Sequence, residues 1–329
     1  MNKQILLTER PQGMAADTDF ELVETAIPTI VDGEVLIRNE YISLDPAMRG
    51  WMNEGTTYIK GVGLNEPMRA FTAGIITHSN NPYFSIGDAV QGLFTVQQYV
   101  VSDGKNISKL NTKTAPLSWY LGILGMPGLT AYFGLLDKGR PKEGDVALVS
   151  GAAGMVGSLV AKIAKIKGCT IMGIAGGKDK CTYAKAELGF DEVIDYKKDN
   201  VADKIKELAP NGVDIYFDNV GGEILDAAML NLALGARVVI CGAISQYNDA
   251  QFNGLKNYMK IVSARATMSG IIVFDYFPRA LEAIEDLSKW LKEGKIKYKE
   301  HIVEGIEKFP QTLRMLFTGK NYGKLLLKI

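Results

Sequence analysis

The sequence predicts an α/β protein in which an all-β domain is followed by a doubly wound parallel sheet. Residues 1–115 contain short alternating runs broken by glycines and no long helical periodicity, which is typical of a domain of short strands. From about residue 145, strand-like runs alternate with helix-like segments, as in repeated βαβ units. A glycine-rich turn at 151–157, directly after one of these strands, indicates a Rossmann-type nucleotide-binding domain.

The length and composition are those of an ordinary globular protein. A chain of 329 residues suits two domains. The chain is 47% apolar and 22% charged with a formal net charge of +0, which argues against nucleic-acid binding because such proteins usually carry a basic excess. No apolar run approaches the roughly 20 residues of a membrane span. Residues 1–20 lack the apolar core of a signal peptide, so we expect a cytoplasmic protein that binds no membrane.

The predicted elements of the β domain are short. Runs such as 34–38 and 89–94 alternate apolar and polar residues, and glycines such as Gly33 and Gly87 lie between the runs. A helical stretch spans 116–136. It separates the β domain from the first strand of the parallel sheet.

The second domain contains strand-like runs separated by helix-like segments. After them we expect a helix near 253–263, a further strand over 266–273 and an amphipathic helix over 276–293, whose apolar residues fall mainly on one face. The tail, 299–329, ends in a helix and a short apolar strand. The strand-like runs are 146–150, 170–175, 192–194, 213–218 and 236–241.

The glycine-rich turn follows a short apolar strand and opens an apolar helix. Its glycines are Gly151, Gly154 and Gly157. The first permits a tight turn, the second lets the backbone approach a pyrophosphate, and the third lets the helix pack against the strand. The helix N-terminus then offers N–H groups and a partial positive charge to the phosphates. Glycine turns also join strands to helices in unliganded folds, so the flanking strand and helix are what support the interpretation.

The end of the next strand indicates which nucleotide is bound. An NAD enzyme usually carries an Asp or Glu there, which binds the adenosine ribose hydroxyls. This chain instead has Gly176, Gly177, Lys178, Asp179 and Lys180. Small glycines leave room for a 2′-phosphate and ammonium groups would neutralise it, which favours NADPH over NADH. Asp179 could still serve the ribose, and the lysines could be only a solvated helix start.

Two further strand ends carry polar residues that could line a cofactor channel. Asn219 follows the fourth strand of the parallel sheet, and Ser245 and Tyr247 follow the fifth. The carboxyl ends of parallel strands form the ligand crevice of such sheets. A tyrosine hydroxyl at the nicotinamide end could donate a hydrogen bond to a substrate oxygen. The alternatives are a turn selected for its backbone angles and a tyrosine of the core or the surface.

The chain offers few soft metal ligands. Cys169, Cys181 and Cys241 are far apart in sequence and form no Cys-x-x-Cys pair. His78 and His301 are the only histidines. A zinc site made of three or four Cys or His ligands is therefore not expected, and neither is a disulfide framework.

Several aromatic residues could line an apolar substrate pocket or could equally pack in the core. Phe274, Tyr276 and Phe277 lie in one segment, whereas Met68 and Phe71 lie in the β domain. Of these, we expect Phe274 and Tyr276 to contact the substrate together with Tyr247.

At this level of detail the chain resembles a known enzyme family. It is similar to the zinc-free branch of the medium-chain dehydrogenase/reductase superfamily. More narrowly it resembles the leukotriene B4 dehydrogenase and prostaglandin reductase group, with the plant alkenal double-bond reductases and the bacterial curcumin reductase-like enzymes. The resemblance covers almost the whole chain and depends on blocks at 41–49, 125–132, 150–158, 217–222, 241–248 and 319–324.

The resemblance implies a division into domains and an assembly. Residues 1–124 with 299–329 would form a GroES-like β-barrel domain, and residues 125–298 a Rossmann NADPH-binding domain. It also implies a homodimer, with the contact expected near an edge strand at 267–273, and no metal.

The resemblance further implies roles for individual residues. Lys180 and Tyr196 would contact the 2′-phosphate beside Gly176 and Gly177. Tyr247 would lie over the substrate carbonyl. This chain departs from the family in having Gly151 where Ala is frequent and Gln246 where Thr is frequent. The pyrophosphate would meet Gly154, Met155 and Val156, and the nicotinamide half would be held by Asn219, Cys241 and Asn321.

These features predict an NADPH-dependent reductase of the carbon–carbon double bond of α,β-unsaturated aldehydes and ketones. Hydride would pass to the β-carbon, and the Tyr247 hydroxyl would stabilise the resulting enolate. Two alternatives stay open at this point. One is an NADPH-dependent quinone reductase, and the other is a non-catalytic NADPH-binding sensor.

Overall fold

A computed structural model describes all 329 residues of the chain, which divide into two units. The first unit comprises Met1–Gly122 together with Glu300–Ile329, and the second is Ile123–Lys299. One unit contains mostly antiparallel sheets and the other a parallel sheet, so the predicted fold class, a Rossmann domain plus a GroES-like β domain, is confirmed. The helices are too short or too polar for any of them to cross a membrane.

The first part of the chain forms mostly strands, as its alternating pattern predicts. It begins with an antiparallel hairpin and continues into longer strands of a second sheet. In chain order the elements are β1 (Asn2–Leu7), β2 (Phe20–Thr25), β3 (Val35–Ser43), α1 (Ala47–Trp51), β4 (Glu66–Pro67), β5 (Arg69–Ser79), β6 (Ala89–Thr95), β7 (Tyr99–Ser102), β8 (Ile107–Lys109) and a 3-10 helix, Leu117–Leu121.

The second unit alternates strands and helices. Its elements are α2 (Met126–Phe133), β9 (Val146–Ser150), α3 (Met155–Ile166), β10 (Thr170–Ala175), α4 (Lys178–Leu188), β11 (Glu192–Asp195), α5 (Val201–Leu208), β12 (Val213–Asp218), α6 (Gly222–Met229), β13 (Leu232–Ile240), α7 (Lys260–Ala264), β14 (Thr267–Gly270), a 3-10 helix at Val273–Arg279 and α8 (Ala280–Lys292).

The strands of the second unit form one sheet in the order β11-β10-β9-β12-β13-β14, with every neighbouring pair parallel. The first strand of the unit, β9, lies inside the sheet, and the strand order reverses beside it. In such sheets ligands bind at the carboxyl ends of the strands where the order reverses. That place is between β9 and β12. The dimer contact expected near 267–273 stays a prediction; β14 lies at an edge of this sheet.

Two helices of the second unit differ from the sequence prediction. The helix expected near 253–263 is only Lys260–Ala264. The Asp226 carboxylate of α6 accepts the backbone N–H groups of Lys256 and Asn257, so these amides are held by a side chain before the helix begins. The helix expected over 276–293 becomes regular only at Ala280 because Pro278 interrupts the preceding turn.

The end of the chain returns to the first unit as β15 (Glu300–Glu304), α9 (Phe309–Thr318) and β16 (Lys324–Lys328). β16 pairs with β3, which places it inside a seven-stranded sheet of order β15-β16-β3-β5-β6-β8, with β7 on β3. A separate small sheet has the order β2-β1-β4. Fully buried Phe309 and Leu313 of α9 pack in one core with Ile42 and Met48. The C-terminal segment therefore completes the core of the first unit.

A buried ion pair joins β16 to the segment after β3. The Lys324 Nζ donates to the Asp45 Oδ1 at 2.7 Å and to the Leu44 carbonyl at 3.0 Å, and the Ser43 hydroxyl donates to the other Asp45 oxygen. The Lys324 side chain is only 2% exposed. Burial lowers the pKa of Lys324, and the Asp45 charge opposes that shift.

Replacement of Lys324 by Met is expected to destabilise the first unit by about 3–5 kcal/mol, since it leaves the Asp45 charge buried without its partner. Urea unfolding followed by far-UV circular dichroism measures the change. Lys328→Met on the same strand is the matched control, because its pair with Glu304 is exposed and 3.6 Å long. The control is expected to lose less than about 1 kcal/mol. Equal free energies of unfolding for the two variants would contradict a stabilising role for the buried pair.

Candidate functional site

The three glycines of the glycine-rich turn are favoured by backbone conformation or by close packing. Gly151 follows β9 with a φ of +65°, which favours glycine. A Cβ on Gly157 would lie 2.4 Å from the Gly151 carbonyl oxygen, and one on Gly154 would lie 3.2 Å from the same atom. No side chain caps α3, which begins at Met155. The turn therefore presents bare backbone and a helix N-terminus, which is what a phosphate group requires.

A buried carboxylate fixes the carboxyl ends of β9 and β12 relative to each other. Asp218 ends β12 and is fully buried. It accepts hydrogen bonds from the Ser150 hydroxyl at 2.8 Å and the Tyr216 hydroxyl at 2.7 Å. It also accepts the backbone N–H groups of Val220 at 3.1 Å and Gly221 at 3.0 Å. Burial raises the pKa of Asp218, and these hydrogen bonds oppose the shift.

Asn219 is held by the same group of residues. Its backbone N–H donates to the Ser150 hydroxyl at 2.9 Å, and its side-chain Nδ2 donates to the Ser150 carbonyl at 2.8 Å. A Cβ on Gly151 would lie 3.4 Å from the Asn219 Cβ. The structure therefore brings the predicted residue Asn219 next to the start of the glycine-rich turn.

The turn after β13 carries the other predicted polar residues. The Tyr247 hydroxyl accepts the backbone N–H of Ala243 at 3.2 Å. A Cβ on Gly242 would lie 2.8 Å from that hydroxyl, so the glycine makes room for the tyrosine. Ser245 donates to the Val220 carbonyl at 2.6 Å, which links this turn to the one after β12. A phenol is a donor as well as an acceptor, so the position suits hydrogen bonding to a ligand oxygen.

Cys241 at the end of β13 is a neutral thiol. Burial raises its pKa to about 12, and the nearby Asp218 charge adds to the effect. Its backbone N–H donates to the Asp218 carbonyl at 2.8 Å. Because the thiolate is the nucleophilic form, Cys241 is suited to packing against a ligand and not to covalent chemistry.

The end of β10 provides the region predicted to select the nucleotide. The strand ends at Ala175 with no carboxylate. A Cβ on Gly176 would lie 2.7 Å from the Tyr196 ring, so ring and turn are in direct contact. Burial lowers the pKa of Lys180, and the charge of Lys197 lowers it further. Lys180 and Lys197 therefore interact electrostatically in this region.

Other predicted residues lie in different surroundings. Tyr276 stacks on Phe133 of α2 with ring centroids 4.5 Å apart, which is the contact of a packed side chain. Phe274 contacts Phe277 with centroids 5.3 Å apart. Asn321 lies in the first unit, between α9 and β16, where its Nδ2 donates to the Gly323 carbonyl at 3.4 Å. The assignment of Phe274 and Tyr276 to the substrate stays a prediction.

Two carboxylates at strand ends were missed from the sequence. They are Asp218 at the end of β12 and Asp195 at the end of β11. Each lies at the carboxyl end of a parallel strand, which was an available signal. The hydrogen-bond donors to these two carboxylates could not be identified from the sequence. No group of three or more His, Cys, Asp or Glu side chains is placed to hold a metal ion.

The chain is similar to known oxidoreductases over its whole length. Residues 3–110 match the family described as the N-terminal domain of oxidoreductase, and residues 155–291 match the zinc-binding dehydrogenase family. The chain is 39% identical to the NADPH-dependent curcumin reductase of Escherichia coli, over 100% of this chain and 97% of that protein. It is 37% identical to the NADP-dependent 2-alkenal reductase of Nicotiana tabacum, again over 100% and 97%.

A solved structure is also close. The crystal structure of CurA from Vibrio vulnificus in complex with NADPH superposes with a TM-score of 0.95 at 43% identity, over 99% of this chain and 98% of that one. The chain therefore belongs to the medium-chain dehydrogenase/reductase family of oxidoreductases, in the group that includes the curcumin and alkenal reductases.

Proposed function

We propose that this protein is an NADPH-dependent reductase of the carbon–carbon double bond of α,β-unsaturated aldehydes and ketones. Its relatives in E. coli and tobacco are named as NADPH- or NADP-dependent reductases of curcumin and of 2-alkenals. In the structure, the residues at the end of β10 support the proposal most strongly. The last residues of β10 and the two glycines after it carry no carboxylate, Tyr196 contacts Gly176, and Lys180 follows in the first turn of α4.

The residues present fit the cofactor. The cradle of Gly151, Gly154 and Gly157 is one that added Cβ atoms would fill or strain, so it suits a pyrophosphate lying on backbone. Its phosphates would be held by the N–H groups at Gly154, Met155 and Val156. Lys180 and Tyr196, beside Gly176 and Gly177, would hold the 2′-phosphate. Asn219, Cys241 and Ser245 would line the nicotinamide end.

For this reaction the protein needs to align the substrate with the cofactor and to supply one hydrogen-bond donor to the substrate carbonyl oxygen. NADPH, when bound, supplies the hydride that adds to the β-carbon of the substrate. As that bond forms, the π electrons of the double bond move toward the carbonyl oxygen. The Tyr247 hydroxyl would donate a hydrogen bond to this oxygen and stabilise the enolate. Water then protonates the α-carbon, which gives the saturated aldehyde or ketone.

The proposal is tested by following NADPH oxidation at 340 nm with purified protein. The substrates are an alkenal, a benzylidene ketone, a quinone and a saturated aldehyde, each with NADPH and with NADH. We expect turnover of the alkenal and the benzylidene ketone, faster with NADPH. Turnover of the quinone alone would indicate a quinone reductase. NADPH binding without any oxidation would indicate a sensor.

Tyr247→Phe is expected to lower kcat for the enone by about 10²–10³, because removal of one donor to a developing oxyanion has effects of that size. The Kd for NADPH, measured by cofactor fluorescence, is expected to change little. Tyr258→Phe is the matched control, since Tyr258 lies in the same segment and is 58% exposed. A kcat for Tyr247→Phe equal to that of the control would remove Tyr247 from the mechanism.

Lys180→Met is expected to raise the KM for NADPH by about 10–100-fold, since a hydrogen bond to a charged group contributes about 1.5–3 kcal/mol. The KM for NADH, which has no 2′-phosphate, is expected to stay nearly unchanged. Lys185→Met is the control, because Lys185 is exposed on the same helix and pairs with Glu192. If both variants lost the same affinity for NADPH, Lys180 would have no specific part in phosphate binding.

A further inference from the structure

A buried carboxylate at the end of β11 joins two turns of the nucleotide-binding unit. Asp195 is 8% exposed and pairs in register with Ala175, the last residue of β10. Its Oδ1 accepts the backbone N–H of Gly177 at 2.7 Å and the backbone N–H of Lys197 at 3.2 Å. Its own backbone N–H donates to the Asp199 carboxylate at 3.0 Å. One oxygen atom therefore holds the turn after β10 against the turn after β11.

This connection brings together the groups that face the predicted 2′-phosphate. Gly177 precedes α4 with a φ of +91°, a conformation that glycine adopts readily, and its backbone N–H points to the Asp195 carboxylate. Tyr196 lies in the chain between Asp195 and Lys197, and its ring contacts Gly176. Lys197 comes next in the chain, and the Asp195 carboxylate holds its backbone N–H at 3.2 Å. The charge of Lys197 lowers the pKa of Lys180. The backbone N–H of Tyr196 also donates to the Ala175 carbonyl at 3.1 Å, so the Asp195 carboxylate supplements a backbone tie between the two strand ends and extends it to Gly177 and Lys197.

We propose that Asp195 is a positioning residue for cofactor selectivity, and that Lys197 is a second cation for the 2′-phosphate. By holding Gly177 and Lys197, the Asp195 carboxylate sets Lys180, Tyr196 and Lys197 around one anion. A phosphate between the two ammonium groups would offset their mutual repulsion. This inference rests on the NADPH dependence proposed above.

The direction in which NADPH affinity changes when the Asp195 carboxylate is removed distinguishes a positioning role from an effect of its charge. A carboxylate near a phosphate repels it, so removing the Asp195 charge should tighten NADPH binding if charge alone matters. If the carboxylate acts by holding the two turns, its removal should weaken NADPH binding. Asp195→Asn keeps the Oδ1 acceptor and removes the charge. Asp195→Ala removes both.

The experiment measures kcat/KM of the full-length enzyme for NADPH and for NADH, with one enone as substrate. For Asp195→Ala we expect the NADPH/NADH selectivity to fall by about tenfold, since each of the two lost hydrogen bonds contributes a factor of a few. For Asp195→Asn we expect selectivity at or above that of the wild type. Lys197→Met is expected to lower kcat/KM for NADPH and not for NADH, while Lys198→Met, its exposed neighbour, leaves both unchanged.

Several results would overturn the inference. Tighter NADPH binding by both Asp195 variants would mean that only charge matters. An equal loss with NADPH and NADH in Asp195→Ala would mean a role in folding alone. Equal kcat/KM values for Lys197→Met and Lys198→Met would show that Lys197 does not bind the 2′-phosphate. These two variants keep the Asp195 side chain, so they test the inference even if Asp195→Ala does not fold. A wild-type enzyme that does not prefer NADPH would instead refute the proposed function itself, before any variant is measured.

Discussion

The nucleotide-binding unit depends on one buried carboxylate, that of Asp218. Burying a charge is unfavourable unless hydrogen bonds replace the water that it loses. Asp218 receives such bonds from a serine of the neighbouring strand, a tyrosine of its own strand and two backbone amides of the following turn. The serine is Ser150, the residue immediately before the glycine-rich turn. The position of that turn is therefore set by a carboxylate on the neighbouring strand. The carboxyl ends of β9 and β12 are fixed relative to each other before any ligand binds.

The same use of charge recurs at the end of β11. Asp218 and Asp195 both accept backbone amides, so both negative charges are directed into the protein. Lys197, in the turn after β11, is exposed to solvent, whereas the Asp195 carboxylate is buried. A phosphate-binding region benefits from this arrangement because acidic side chains can order the turns without competing with the anion. It also explains how a strand end can carry an aspartate in a unit for which we propose NADPH and not NADH.

The parallel sheet and its glycine-rich turn could be predicted because their signals are local. Alternation of strand and helix patterns and the spacing of Gly151, Gly154 and Gly157 lie within short windows of sequence. The partners of the buried charges could not be predicted, since Ser150 and Asp218 are 68 residues apart and Asp45 and Lys324 are 279 residues apart. The helix expected near 253–263 was wrong for the same reason. A side chain from α6 holds backbone amides that local pattern assigned to a helix.

The central claim is that hydride reaches the carbon–carbon double bond and not the carbonyl group. In the most direct test, the enzyme reduces a benzylidene ketone with NADPH that carries two deuterium atoms at C4 of the nicotinamide. NMR then locates the deuterium in the product. The proposed chemistry predicts a saturated ketone with deuterium on the β-carbon and hydrogen from solvent on the α-carbon. An allylic alcohol with deuterium on the carbinol carbon would contradict it.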